Sequence, residues 1–442
     1  MMNSKQVFFG LLACIAALIG CDTRKQVVVG NELSLTRAKQ TLDSLYQNYS
    51  APGTCLLREN YPSNVGDYTA TYLASEEQKN IPNQYSYLWP YSGTFSAVSA
   101  LYEVTQDTLY KSLLDKKVLI GLEEYFDTQR TPEAYASYIR TAPQSDRFYD
   151  DNVWLGIDFT DTYLATKEDK YLQKAKLIWK FIESGMDDNL GGGIYWCEQK
   201  KGSKNTCSNA PGSVLALKLF KATQDSAYLK QGEQLYKWTQ AQLQDSTDYL
   251  YFDNISLNGK IGKAKFAYNS GQMMQSASLL YQLTGKEEYL TDAQNIAQAC
   301  HNYFFTDYTP EHGEAFRMIK QGDVWFTAVM LRGFIELYHI DHNKTYLDSF
   351  NKSLDHAWEH ARDEKGLFNT DFTGNNRNER KWLLTQAAMV EMYARLALSN
   401  NNHTNKISIL QEYEKEEDRP MRSGTIMYEW HCQSSTACSE AR

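Results

Sequence analysis

Two carboxylates stand side by side in the run Phe148-Tyr149-Asp150-Asp151-Asn152-Val153-Trp154. Two acids in one small space are the minimum equipment for cleaving a glycosidic bond. One donates a proton to the leaving oxygen, and the other, ionised, attacks or supports the oxocarbenium-like centre. Repulsion between them helps keep one protonated. Asp-Asp is also common in capping turns, and the chain carries a second pair, Asp187-Asp188, ahead of Asn189-Leu190-Gly191. Context separates the two. Asp150-Asp151 runs into a polar donor, Asn152, and a large ring, Trp154, as a sugar platform requires, whereas Asp187-Asp188 runs into glycines and reads as a turn.

The elements that must hold the pair are written in a repeat. An aromatic residue, a polar turn three residues on and a tyrosine five beyond that recur as Tyr102/Thr105/Tyr110, Tyr163/Thr166/Tyr171, Phe220/Thr223/Tyr228, Tyr281/Thr284/Tyr289 and Tyr338/Asp341/Tyr346. The spacing of 57 to 61 residues implies one supersecondary unit used repeatedly. Apolar residues flank each turn at helical intervals, as in Leu215, Leu219 and Phe220 before one turn and Tyr228, Leu229, Leu235 and Trp238 after it. Each unit therefore reads as a helical hairpin. A sixth first helix is expected at Gln386 to Leu398, and its missing partner at the N-terminal segment Leu33 to Tyr49.

Six hairpins whose last helix pairs with the first close into a toroid, the all-α (α/α)6 barrel. The alternative, an open solenoid without chemistry, needs polar capping repeats at both ends, and here the terminal segments are amphipathic. The short turns then share one face. The longer links, 50–92, 128–148, 187–208, 244–267, 306–321 and 363–383, share the other, where binding groups concentrate on a rigid scaffold. With Asp150 near the cap and Asp151 in the first turn of an inner helix, both can look into a central cleft. A helix N-terminus favours an ionised carboxylate, which suits a nucleophile.

Four motifs in chain order are similar to glycoside hydrolase family 76, the bacterial endo-α-1,6-mannanases and their fungal cell-wall relatives. They are Asp150-Asp151-Asn152-Val153-Trp154, Gly191-Gly192-Gly193-Ile194-Tyr195-Trp196, Lys204-Asn205-Thr206-Cys207-Ser208-Asn209-Ala210-Pro211 and Tyr268-Asn269-Ser270-Gly271. Ser86 to Gly93 and Arg317 to Lys320 match only loosely. The resemblance implies the (α/α)6 fold and a retaining double displacement on α-1,6-linked mannan, with Asp150 as nucleophile and Asp151 as general acid/base; the division of roles rests on the resemblance alone. Retention asks for carboxyl groups about 5–5.5 Å apart. As subsite walls, Gly191 to Gly193 would let backbone approach a sugar, Trp154, Tyr195 and Trp196 would offer ring faces, and Asn152, Asn205, Ser208, Asn209, Tyr268 and Asn269 would bond hydroxyls.

The apolar run Phe8 to Ile19 ending in Leu18-Ile19-Gly20-Cys21 reads as a signal segment. Its final tetrapeptide looks like a lipobox, with cleavage before Cys21 and lipidation of that thiol. The expected layout is a signal peptide at 1–20, a tether at 21–32, the catalytic barrel at 33–399 and a polar tail at 400–442. The product would be exported and lipid-anchored to the bacterial cell envelope. A formal charge of −9 argues against a nucleic-acid partner. The 31 tyrosines and 9 tryptophans suit sugar stacking, as they would a tyrosine-rich helical core. No cysteine has metal-site spacing with histidines, so no metal or cofactor is expected. Cys197/Cys207 and Cys432/Cys438 are close enough to close small disulfide loops, but spacing does not fix pairing. Two further readings use the same residues: a transglycosylase that passes the mannosyl group to another hydroxyl, and a surface lipoprotein that only binds glycans.

Overall fold

The computed structural model describes residues 22–63 and 83–399. Cys21, the signal segment and the tail with Cys432 and Cys438 lie outside them. Twelve helices alternate between two rings among the described residues: α1 (Asp22–Tyr49), α2 (Leu88–Thr105), α3 (Thr108–Leu113, continued by a π-helical turn Leu114–Val118 and Leu119–Leu122), α4 (Tyr149–Thr166), α5 (Asp169–Ser184), α6 (Thr206–Thr223), α7 (Ser226–Leu243), α8 (Ala267–Thr284), α9 (Glu287–Phe304), α10 (Val324–Asp341), α11 (Thr345–His360) and α12 (Leu383–Ser399). α1 begins at Asp22 rather than Leu33, so the stretch read as a tether is helical from there on.

The odd-numbered helices form the outer ring and bury one stripe each. In α11 that stripe is Leu347, Phe350, Leu354 and Ala357, and in α9 it is Tyr289, Ala293, Ile296, Ala297 and Cys300. The even-numbered helices are covered on nearly all sides, so their apolar and small polar residues show no stripe. Adjacent inner helices pack in the order α2-α4-α6-α8-α10-α12, and α12 returns to both α1 and α2. The ring is closed, an (α/α)6 barrel, with the first helix supplying the partner of the last as expected.

Close approach inside the ring depends on small residues. A methyl at Gly271 of α8 would stand 2.4 Å from the Met330 Cα of α10. Between the neighbouring inner helices α10 and α12, Arg332 bonds Glu391 at 2.7 Å, and Glu391 also holds Arg395 at 2.6 Å. Removing one partner of such a buried pair would leave an uncompensated charge and destabilise the ring.

The repeated turn has a local cause. Residues Gln106, Lys167, Gln224, Gly285 and His342 all take the left-handed conformation, and each donates its N–H to the carbonyl of the repeat's aromatic residue. In four turns the threonine hydroxyl donates to the carbonyl four residues back and accepts the N–H two residues on. Only one of the five left-handed positions is glycine, and a side chain there costs on the order of 1 kcal/mol. Lys167→Gly is therefore expected to raise unfolding stability by about 0.5–1 kcal/mol in urea titration.

The links on the opposite end carry short strands: β1 (Asn60–Tyr61), β2 (Phe126–Asp127), β3 (Ala134–Tyr135), β4 (Ser203–Asn205), β5 (Phe252–Ser256), β6 (Ile261–Lys265), β7 (Phe305–Tyr308), β8 (Phe316–Ile319) and β9 (Lys381–Trp382). β4, β5 and β6 form one antiparallel sheet with Asn205 opposite Asn254. β1 pairs with β9, joining the first link to the last, and buried Glu59 accepts from Tyr87 N–H at 2.7 Å and Trp382 Nε1 at 3.0 Å across that seam. Cys197, Cys207 and Cys300 are free thiols. The Cys197/Cys207 loop closure allowed by spacing is thus not made; the two side chains hydrogen-bond elsewhere, Cys197 to Gln199 and Cys207 to Asp150.

Candidate active site

A cleft of about 400 Å³ opens at the link end of the barrel. Its walls come from the N-terminal turns of α2, α4, α6, α8 and α10 and from β4 and β5. The positive ends of five helices thus converge on one space, a setting that favours developing or fixed negative charge.

Asp150 and Asp151 both line this cleft. Phe148 is the N-cap of α4, so Asp150 and Asp151 are the second and third residues of its first turn. Oδ2 of Asp150 accepts from Trp196 Nε1 at 3.0 Å and from the Cys207 thiol at 3.3 Å, while Oδ1 accepts the Asp151 N–H at 3.0 Å. Burial pushes the Asp150 pKa above the usual carboxylate range, and these three donors pull it part of the way back. Asp151 is raised well above that range, first by burial and then by the charge of Asp150. Of the two, Asp150 ionises first and Asp151 keeps its proton. This split is what a nucleophile and an acid require.

A raised folded-state pKa has a consequence for stability. The folded protein binds the Asp151 proton more tightly than the unfolded chain, so the cost is absent below the unfolded value of about 4 and grows as pH rises toward the folded value. Asp151→Asn is therefore expected to raise the melting temperature at pH 7 and leave it nearly unchanged at pH 3.5, as read by calorimetry.

Around the acids the cleft is aromatic. Trp154 meets Trp325 edge-on at 5.0 Å, and Tyr268 lies flat against Phe326 with ring centroids 3.9 Å apart. Trp89 and Phe266 extend this wall. A third carboxylate, Asp253 of β5, faces the same space; burial raises its pKa, and Asn254 donates to it at 2.7 Å.

Of the residues picked from sequence, Asp150, Asp151, Trp154, Trp196, Asn205 and Tyr268 line the cleft. The others stand behind it. Asn152 is fully buried and bonds Tyr135 N–H and carbonyl and the Phe148 carbonyl, tying α4 to β3. Asn209 clamps Ile194 through its N–H and carbonyl. The Tyr195 hydroxyl donates to Asp187 at 2.7 Å. Ser208 and Asn269 are buried beneath the floor, Asn269 beside Asp253. Gly192 and Gly193, expected to let backbone near a sugar, instead lie against Trp238 of α7 with φ of 126° and 83°; a methyl on Gly193 would come within 2.8 Å of that ring. Asp187 is paired with Lys204 at 2.7 Å in its turn, away from the cleft. Sequence reading missed Asp253, Cys207, Tyr87, Phe266 and Phe326 as wall residues. Cys207 lies inside one of the four motifs and Tyr87 inside the loosely matching segment Ser86 to Gly93.

Residues 59–316 match the model of glycosyl hydrolase family 76. A solved family 76 mannosidase from Bacteroides thetaiotaomicron is 34% identical, with a TM-score of 0.75 over 83% of this chain and 98% of that one. The α-1,6-mannanase of Salegentibacter, solved with α-1,6-mannotriose as an inactive variant in which two consecutive aspartates are asparagines, is 25% identical, with a TM-score of 0.65 over 83% of this chain and 99% of that one. Among curated proteins, a mannan endo-1,6-alpha-mannosidase of Candida albicans is 27% identical over 150 residues, 31% of this chain and 33% of that protein. The chain spans about half the length, 57% and 49%, of two Schizosaccharomyces pombe relatives that it matches.

Proposed function

Because this chain belongs to glycoside hydrolase family 76, we propose that it is a retaining endo-α-1,6-mannanase in which Asp150 attacks and Asp151 supplies and recovers the proton. The observation that carries this reading is the unequal environment of two adjacent cleft carboxylates: Asp150 holds three donors, and Asp151 is kept protonated by burial and by its neighbour's charge.

In the first step Asp150 bonds to the anomeric carbon while Asp151 protonates the departing glycosidic oxygen. Asp151, now ionised, takes a proton from water in the second step, and the water oxygen displaces Asp150. The Tyr268/Phe326 face and the Trp154 and Trp196 rings give apolar surfaces for the C–H faces of a mannose unit. Asn205, Ser203 and Asp253 offer polar groups for its hydroxyls. An uncharged polysaccharide needs no cationic site, and the wall is aromatic and polar in keeping with that. The lipobox-like Leu18-Ile19-Gly20-Cys21 supports export and anchoring at the cell envelope through Cys21, checked by acyl-labelling of the protein and of a Cys21→Ala variant.

The test is incubation with unbranched α-1,6-mannan. A ladder of mannooligosaccharides supports the endo-hydrolase. Larger products formed only when a glycosyl acceptor is added would make the protein a transglycosylase, and bound mannan without product would make it a glycan-binding protein.

A further inference from the structure

Cys207 is the first-turn residue of α6 that meets the Asp150 carboxylate. Its Sγ lies 3.3 Å from Oδ2, which also receives Trp196 Nε1 from the other side. Tyr268 of α8 lines the cleft beside them. Two side chains from different parts of the chain thus meet on one carboxylate oxygen. We propose that Cys207 is a positioning residue for Asp150, its thiol fixing Oδ2 through the direct hydrogen bond it donates. The proposal rests on the reading of Asp150 as the attacking group.

A thiol has particular uses in this place. Its S–H is a weak donor and its sulfur a weak acceptor, so it can orient the carboxylate without drawing off as much charge as a hydroxyl would. Burial first, then the charges of Asp150 and Asp253, hold the thiol well above its usual pKa, so it remains a donor throughout the range in which Asp150 ionises. The titratable groups around Asp150 are Asp151 on its own helix, Cys197 in the link before β4, Cys207 on α6 and Tyr268 on α8, with Asp253 of β5 facing Cys207 and Tyr268. Cys207 is the one among them whose side chain bonds Asp150 directly while uncharged.

Two variants, Cys207→Ala and Cys207→Ser, separate this role from simple filling of space. The pH dependence of kcat/KM on α-1,6-mannan is read beside a carboxyl carbon-13 titration of aspartate-labelled protein, with Asp150→Asn assigning the Asp150 resonance. Losing a donor to an ionised group raises its pKa. In Cys207→Ala the Asp150 titration and the acid limb of the profile are expected to move up by about one pH unit. We expect kcat to fall roughly tenfold with KM little changed, and serine to restore the acid limb. An Asp150 titration and acid limb that stay in place in a folded Cys207→Ala protein overturn the proposal. If the parent cleaves no mannan but the Asp150 resonance still moves in Cys207→Ala, the positioning role stands and the substrate assignment fails.

Discussion

Asp150→Asn is expected to lower kcat/KM on α-1,6-mannan by roughly four orders of magnitude, the scale seen when a nucleophile is lost from an intact site. The variant should fold normally, since asparagine is nearly isosteric and its carbonyl, placed at the Oδ2 position, can still accept from Trp196 and Cys207. The loss would therefore be chemical. Azide added to Asp150→Ala distinguishes the role further: entering where the carboxylate was, it can displace an activated leaving group once and yield the inverted mannosyl azide. An Asp150→Asn enzyme that keeps more than about a hundredth of parental activity would remove Asp150 from the attacking role.

The second large effect is at Asp151, and its size should depend on the leaving group. With mannan, whose departing oxygen needs a proton, Asp151→Ala should cost about 10²–10⁴-fold in kcat. With an aryl mannoside bearing a good leaving group, the first step proceeds without that proton and the covalent intermediate builds up because no base activates water. A burst of aryl alcohol is then expected, and azide should accelerate turnover with retention of configuration. Equal losses on both substrates would argue against the general-acid assignment and would leave the raised proton affinity of Asp151 without a catalytic use.

These effects were foreseeable from sequence because their causes are short-range. The acid pair announces its chemistry by residue type. The hairpin repeat is legible because each turn is closed by bonds within a few residues, from a left-handed N–H to the aromatic carbonyl and from a threonine hydroxyl in both directions. Which neighbours of the motif face the cleft was less legible, and geometry explains the differences. Asn152 is one step, about 100°, around α4 from Asp151, which turns it toward β3. Tyr195 and Trp196 are neighbours in one link, yet the Trp196 ring bonds Asp150 while the Tyr195 hydroxyl turns back to Asp187. Gly193 owes its place to the Trp238 ring, a contact between a link and an outer helix that no local pattern encodes. Asp253 reaches the cleft only because β5 pairs with β4, residues far apart in the chain.

The central claim is tested most directly by following the anomeric configuration of the first reducing ends released from unbranched α-1,6-mannan, recorded by proton NMR before mutarotation. A double displacement through Asp150 predicts α-configured ends at the outset, with none from Asp150→Asn. First-formed β ends, or mannan that binds and is never cut, would contradict the account.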